Sequence, residues 1–284
     1  LCRNIAVRTG ALAAVRNRDV HTHPIPYFGG VAMFAGLAIA LLVAVQMPFL
    51  GRYTSVEHDA WAVLWAGLVI CVVGILDDLY DMPALVKLGG QVLAAGVAVM
   101  NGVRIFWIPL PDRIISLDDT TSILVTVIVI AICVNAVNFV DGLDGLAGGI
   151  VAIGSGAFFS YAYVLARELG LERATTASLI TVATCGIAVG FLFHNWHPAK
   201  MFMGDSGAML LGFLMAMSAI SFTGQLDSGA LPASSDSLPA LLPILLPVAA
   251  LALPLLDLML AWVRRTLNGQ HPFQADKQHL HHRL

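Results

Sequence analysis

Asn135-Ala-Val-Asn-Phe-Val-Asp-Gly-Leu-Asp-Gly-Leu-Ala-Gly-Gly149 closes an apolar run, Thr120 to Val137, that is long enough to cross a bilayer. A second apolar run leaves it at once. Between them sit Asn138, Asp141 and Asp144, spaced by three. On a helix or tight helical turn that spacing predicts three polar groups on one side. Two carboxylates and an amide at a membrane boundary are costly unless they bind something. The same residues would also suit a polar helix end stopped by Gly142 and Gly145.

The whole chain follows the pattern of that stretch. Its 284 residues are 58% hydrophobic and 12% charged, with a mean hydropathy of +0.82. Soluble domains carry about 25% charged residues. Backbone groups in lipid must be satisfied within each segment, so the composition predicts an all-α, polytopic integral membrane helical bundle. The net charge of -3 gives no reason to expect nucleic acid as a partner. Cys2, Cys71, Cys133 and Cys185 have neither metal nor redox spacing and read as packing residues.

About eight spans are predicted, near 28–49, 60–80, 84–102, 120–138, 144–166, 174–194, 205–223 and 239–263. Lys87 and Gln91 weaken the third. Pro243, Pro247 and Pro254 predict a kink or break in the last. Residues 104–119 read as a short interfacial hairpin, and 1–284 as a single transmembrane domain. The chain begins at Leu1 and stops just after a His-rich segment, so it reads as a fragment. The segments 1–27, 77–87, 138–144, 194–205 and 264–284 then share one side. They hold ten Lys and Arg against five on the other, which predicts that this side is cytoplasmic.

The four clusters that could carry chemistry fall on that side. Asp77-Asp-Leu-Tyr-Asp81 places Asp77 and Asp81 on one helical face with Asp78 beside them. Like charges this close repel unless a cation lies between them. Lys87 could hold a phosphate as a point charge, or snorkel to the interface. Gly204-Asp205-Ser206-Gly207 opens a span, where Asp205 would be an N-cap or, beside so many acids, a metal ligand. Phe202 could stack a base or simply pack. His279, His281 and His282 beside Arg283 suit an anionic phosphate better than zinc, which would want a closed tetrahedral set. Hard oxygen ligands flanked by Lys, Arg and His describe a magnesium–pyrophosphate site, since Mg²⁺ is held by one or two carboxylates plus substrate phosphates. An ion-coupled transporter also places acids in helices, but near the bilayer midplane rather than at span ends on one side.

Together Asp77-Asp78, the 135–147 stretch, Phe202-Met-Gly-Asp-Ser-Gly and His279-Leu-His-His resemble the polyprenyl-phosphate N-acetylhexosamine-1-phosphate transferases, which include MraY, WecA and TagO. Pro272-Phe-Gln-Ala-Asp-Lys-Gln-His-Leu-His-His-Arg283 is similar to the WecA and TagO branch, because Leu280 interrupts the histidines. The resemblance implies UDP-GlcNAc as donor, polyprenyl phosphate as acceptor and UMP as leaving group, in the first membrane step of cell-envelope glycan synthesis. The alternative within the family is the phospho-MurNAc-pentapeptide transferase reaction. A plasma-membrane location with a cytoplasmic site is implied, as is Mg²⁺, for which Mn²⁺ could substitute. Room is left for a homodimer. The site is expected in loops near 18–30, 77–87, 138–144, 194–207 and 271–283. Ten or eleven spans are expected in the family, hence one before Leu1 and one or two after Leu284.

By position, the resemblance makes Asp205 the metal ligand. Asp77 and Asp78 become the essential acid pair, one of them the base for the lipid phosphate. Asn138 and Asp141 line the reaction centre, and Asp144 lies near the uridine. Phe202 stacks on uracil, and His279, His281 and His282 approach the diphosphate. Arg18 and His21 fall in an amino-terminal basic motif. Apart from the resemblance, residue type makes Lys87 and Arg283 substrate contacts. Asp81 has no assigned role.

Overall fold

The computed structural model describes residues 25–51, 53–109, 114–170 and 172–223, with isolated positions beyond. Arg18, His21, His279, His281, His282 and Arg283 lie outside the described residues, as does most of the eighth predicted span. Seven helices run in order: α1 (Gly29–Gln46), α2 (Thr54–Tyr80), α3 (Ala84–Met100), α4 (Asp119–Val140), α5 (Leu146–Leu169), α6 (Glu172–Asn195) and α7 (Gly204–Thr223). Six are long and apolar enough to cross a membrane, and α3, with Lys87 and Gln91, is the shorter exception. The hairpin expected in 104–119 is there. Strand β1 (Trp107–Pro109) pairs antiparallel with β2 (Ile114–Ser116), Ile108 opposite Ile115.

Helix α7 is the axis of the bundle. Every residue from Ala208 to Met217 is buried, and α1, α2, α4 and α6 pack around it. Small residues let the backbones approach, as at membrane helix interfaces generally. A side chain at Gly30 of α1 would collide with the Gly207 backbone, and one at Gly74 of α2 with Ser206. Helix α5 lies along α6. Helix α3 sits outside, turning Leu85, Val86, Val92 and Leu93 outward. Such apolar faces suit lipid tails.

Two boundaries differ from expectation. Helix α2 begins at Thr54, so its 27 residues take in Asp59, which the sequence placed in a connection. Asp59 is buried there because Arg173, at the start of α6, pairs with it at 3.2 Å. Helix α4 ends at Val140, so Asn138, Asp141 and Asp144 do not share one helical face. The physical cause is glycine: the chain leaves the helix through Gly142 and reaches α5 through Gly145 at φ 74, a conformation open to glycine at little cost.

A candidate active site at one end of the bundle

The ends of α2, α4 and α7 and the start of α3 meet at one end of the bundle. Lys87, one turn into α3, reaches across it. Its Nζ lies 2.6 Å from Asp77 Oδ2 on α2, 2.8 Å from Asp205 Oδ2 on α7 and 3.2 Å from Asn138 Oδ1 on α4. Asn138 Nδ2 donates to the other oxygen of Asp205. One ammonium and one amide therefore tie four helices together through two carboxylates, Asp77 and Asp205. One turn deeper, Gln91 and Asn135 exchange amide hydrogen bonds of 2.6 and 3.4 Å, holding α3 against α4 beneath the charged layer. Of the two alternatives for Lys87, snorkelling to the interface does not hold: opposite charges on two neighbouring helices draw it inward.

The acid pair splits. Asp77 turns to Lys87 and also accepts from the Met82 amide at 2.9 Å, where the α2–α3 turn begins. Asp78 turns to α7. Its Oδ1 accepts from the Asp205 amide at 2.7 Å, and its Oδ2 accepts from the Ser206 amide at 3.2 Å and the Ser206 hydroxyl at 2.9 Å. Asp78 is thus the N-terminal cap of α7, supplied from another helix, while Asp205 sits in the first turn. Asp81 does not share the face of Asp77. It ends α2 in a left-handed conformation at φ 49 and is exposed.

Asp141, just beyond α4, is half-buried, and among the described residues nothing hydrogen-bonds or ion-pairs with its carboxylate. Burial, then the charges of Asp205, Asp78 and Asp144, push its carboxyl up to about 8. Asp144 faces another way. Its Oδ2 meets His197 Nδ1 at 3.0 Å and accepts from the Ala199 amide at 3.1 Å. Asn195 fastens the same two loops, accepting from the Gly145 amide at 2.9 Å and donating to the Met201 carbonyl at 3.1 Å. Phe202 lies on this flank with Tyr27, ring centroids 6.4 Å apart, and its backbone pairs with Pro26 and Gly29.

The described part of the predicted site therefore gathers Asp77, Asp78, Lys87, Asn138, Asp141 and Asp205, with Asp144 and Phe202 on one flank. Ser206, Asn195, His197 and Asn135 were not singled out from sequence. All four lie inside stretches that were, Asn135 in 135–149 and the others in 194–207, but a buried amide or hydroxyl has no periodicity of its own.

Among the described residues no three His, Cys, Asp or Glu form a ready-made metal cage. The donor set nevertheless fits a hard cation. It is all oxygen, it holds four carboxylates, and Lys87 is the one cation in ion-pair reach of them among the described residues. Mg²⁺ needs one or two such carboxylates and takes its remaining ligands from phosphate and water.

Membrane-length helices that bring carboxylates, an ammonium and amides together at one end define a multi-pass membrane protein with a site for charged ligands. The profile of glycosyl transferase family 4 matches residues 60–223. The chain belongs to that family. It is 44% identical over 286 residues to a decaprenyl-phosphate N-acetylglucosaminephosphotransferase of Mycobacterium tuberculosis, covering 99% of this chain and 70% of that protein. An undecaprenyl-phosphate alpha-N-acetylglucosaminyl 1-phosphate transferase of Yersinia pestis is 28% identical over 289 residues, 99% of this chain and 71% of its own length. A phospho-N-acetylmuramoyl-pentapeptide-transferase of Desulforudis audaxviator is 31% identical over 215 residues, which is 69% of this chain and 62% of its own length.

Proposed function

We propose that this chain transfers N-acetylglucosamine 1-phosphate from UDP-GlcNAc to a polyprenyl phosphate. An oxygen of the lipid phosphate attacks the β-phosphorus of the nucleotide sugar. The bond between that phosphorus and the bridging oxygen breaks, UMP leaves, and a lipid-linked sugar diphosphate forms. The observation that carries this reading is the Asp77–Lys87–Asp205–Asn138 chain of contacts with the unpartnered Asp141 beside it. It collects excess negative charge at helix ends, where a lipid phosphate and a soluble nucleotide can meet.

The residues take these roles. Asp205 is the carboxylate that would hold Mg²⁺, with Asp141 free to join it. When bound, the ion neutralises charge on the diphosphate. Asn138 and Lys87 fix the orientation of Asp205, and Lys87 adds a positive charge where phosphoryl oxygens pass. The Asp77/Asp78 pair supplies the base that takes the proton from the lipid phosphate. Asp144, held by His197 and Ala199, and Phe202 face the nucleotide. His279, His281, His282 and Arg283 meet the diphosphate, and Arg18 and His21 the amino-terminal side of the site. Catalysis of this kind is positioning and electrostatics rather than covalent chemistry.

The donor is assigned on two grounds. N-acetylglucosamine-1-phosphate transferases match nearly the whole chain, whereas the muramoyl-pentapeptide transferase quoted above matches 69% of it. Leu280 also separates the histidines. The site lies on the basic, cytoplasmic side of the plasma membrane in this reading, at the first membrane step of an envelope glycan. A transporter is disfavoured because the acids lie at helix ends and not at a midplane break.

Donor competition tests the proposal. Full-length protein in detergent, given a polyprenyl phosphate and Mg²⁺, should release UMP from labelled UDP-GlcNAc in preference to other UDP-sugars. Preference for the muramoyl-pentapeptide nucleotide would move the chain to the other branch. Release from no UDP-sugar would end the reading.

A further inference from the structure

Away from the candidate site, where α2 begins and α7 ends, three fully buried side-chain oxygens make no hydrogen bond: Ser55 Oγ, Asp59 Oδ1 and Ser221 Oγ. Among the described residues no other fully buried side-chain nitrogen or oxygen is left so. Each of the three residues is at least nine-tenths buried. Ser55 and Asp59 are four apart and share a face of α2. Ser221, in the last turn of α7, faces the Asp59 carboxyl but stands outside hydrogen-bond geometry with it. Buried polar groups are nearly always paired, and leaving one bare is costly. We propose that these oxygens form an internal water site, in which one ordered water bridges α2 to α7.

A bare hydroxyl is not the default in these helices. Ser178, Thr181, Thr184 and Ser218 all turn back onto the carbonyl four residues earlier in their own helix, at 2.6 to 2.8 Å. That is a common outlet for a hydroxyl inside a helix. Met217 offers Ser221 the same carbonyl, and Ser221 makes no bond to it, facing Asp59 instead. Charge and donor count then choose the guest. Arg173 Nη1 holds the other carboxylate oxygen, Oδ2, at 3.2 Å, so the acid already has its counter-ion. A cation at Oδ1 would stand close to that guanidinium, and an anion close to Asp59. His58 Nδ1 is 3.6 Å from Oδ1, too far for a hydrogen bond, and its side chain is mostly exposed. An apolar guest would satisfy nothing. Water donates to Oδ1 and bonds to the two hydroxyls, which gives it the three bonds that internal waters commonly make. Asp59 is then held at both oxygens, by α6 through Arg173 and by α7 through the water. The first turn of α7 meets α2 directly, through Asp78, and its last turn meets the same helix through a solvent molecule.

Full-length protein in lipid nanodiscs tests the site. A density map fine enough to show ordered solvent should place one peak within about 3.2 Å of both Asp59 Oδ1 and Ser221 Oγ. A map without that peak, with Ser221 Oγ on the Met217 carbonyl, would overturn the proposal. Thermal unfolding of Ser221→Ala, Ser221→Val and Ser221→Thr reads the energetics. Alanine removes one partner of the water and should lower Tm by about 3 °C, the scale of one hydrogen bond in a large domain. Valine puts a methyl where the water stands, strands Asp59 Oδ1 and should lower Tm further. In a dry gap the order reverses, because the added methyls fill space, so a Tm at or above wild type in Ser221→Val sinks the water. Threonine adds the same bulk but keeps the hydroxyl, and should recover most of the valine loss. A threonine variant as unstable as the valine one would show that volume and not the hydroxyl matters, and would count against the site. Replacing NaCl by choline chloride at equal ionic strength should leave the wild-type Tm unchanged. A Tm that falls without Na⁺ in wild type but not in Ser221→Ala would give the site to a cation and overturn the proposal. Should the valine variant fail to fold, the map and the salt exchange still decide.

Discussion

The two ends of the bundle both contain buried or half-buried carboxylates, and they treat them in opposite ways. At the end away from the candidate site three acids have partners of their own. Asp59 is matched by Arg173, Asp119 by Arg104 at 3.1 Å, and Asp118 caps α4 through Thr121. At the other end Asp77, Asp78, Asp141 and Asp205 have Lys87 alone in ion-pair reach among the described residues. The first arrangement is charge-balanced and fastens helices. The second is charge-deficient and is incomplete without a cation or a cationic part of a ligand. Carboxylates crowded in this way are destabilising by themselves. Their presence at one end and not the other separates architecture from chemistry.

The sharpest way to break that contrast is to remove a charge at each end. Asp205→Asn should lower UMP release on the order of 10³-fold or more, because the group that organises the diphosphate is gone. Full activity would erase the distinction. Lys87→Met should cost about 3 kcal/mol of stability, since it strands Asp77 and Asp205 without a counter-ion. Thermal unfolding in detergent measures this, and added Mg²⁺ should recover part of the loss by mass action. Arg173→Met should cost about 2 kcal/mol, less because its partner contact is partly open to solvent. Here Mg²⁺ should recover nothing, and the folded fraction should keep its turnover. Loss of turnover at the far end would show that it is not merely architectural.

Acidity sharpens the contrast further. Asp141 has a folded-state value of about 8 against 3.8 for an ordinary aspartate, from burial and then from the neighbouring acids. The unfolded chain gives up that proton first as pH rises, so the group's contribution favours folding least at high pH. Its effect is absent below about pH 4, grows through the interval to about 8 and is constant above it. Asp141→Asn should therefore gain stability relative to the wild type between pH 5 and pH 8.5 in metal-free buffer. A difference independent of pH would mean that Asp141 is ionised and already satisfied. The smallest effect is expected one turn below the site. Gln91→Leu should cost about 1 kcal/mol, the usual scale for a polar pair between membrane helices, and its coupling to Asn135→Leu in a double-mutant cycle should be of the same size.

Much of the site was legible because its residues are costly where they stand. Asp77, Asp78, Asn138, Asp141 and Asp205 interrupt apolar runs, and an interruption in a membrane chain is visible in one dimension. The parity of spans put them on one side, and the structure gathers them at one end. What could not be read was direction. Nothing in the dipeptide Asp77-Asp78 says that one carboxylate turns to α3 and the next to α7. Successive residues on a helix diverge by about 100°, but the neighbours they then meet depend on packing. The helical continuation assumed for Asp141 and Asp144 failed for a local reason that was visible, Gly142 and Gly145. Asp59 was misplaced for a distant one, since its burial depends on Arg173, more than a hundred residues away.

The amino-acid sequence alone determined that this is a bundle of membrane-length helices with its acids at the ends, because apolar run length and the price of charge in lipid are properties of the chain itself. It also determined the family, through short motifs kept in order. The tertiary structure decided which acid serves which helix. Close approach at Gly30, Gly74 and Gly207 sets α7 between α1 and α2, and that single placement gives Asp78 a helix end to cap and turns Asp205 toward Lys87.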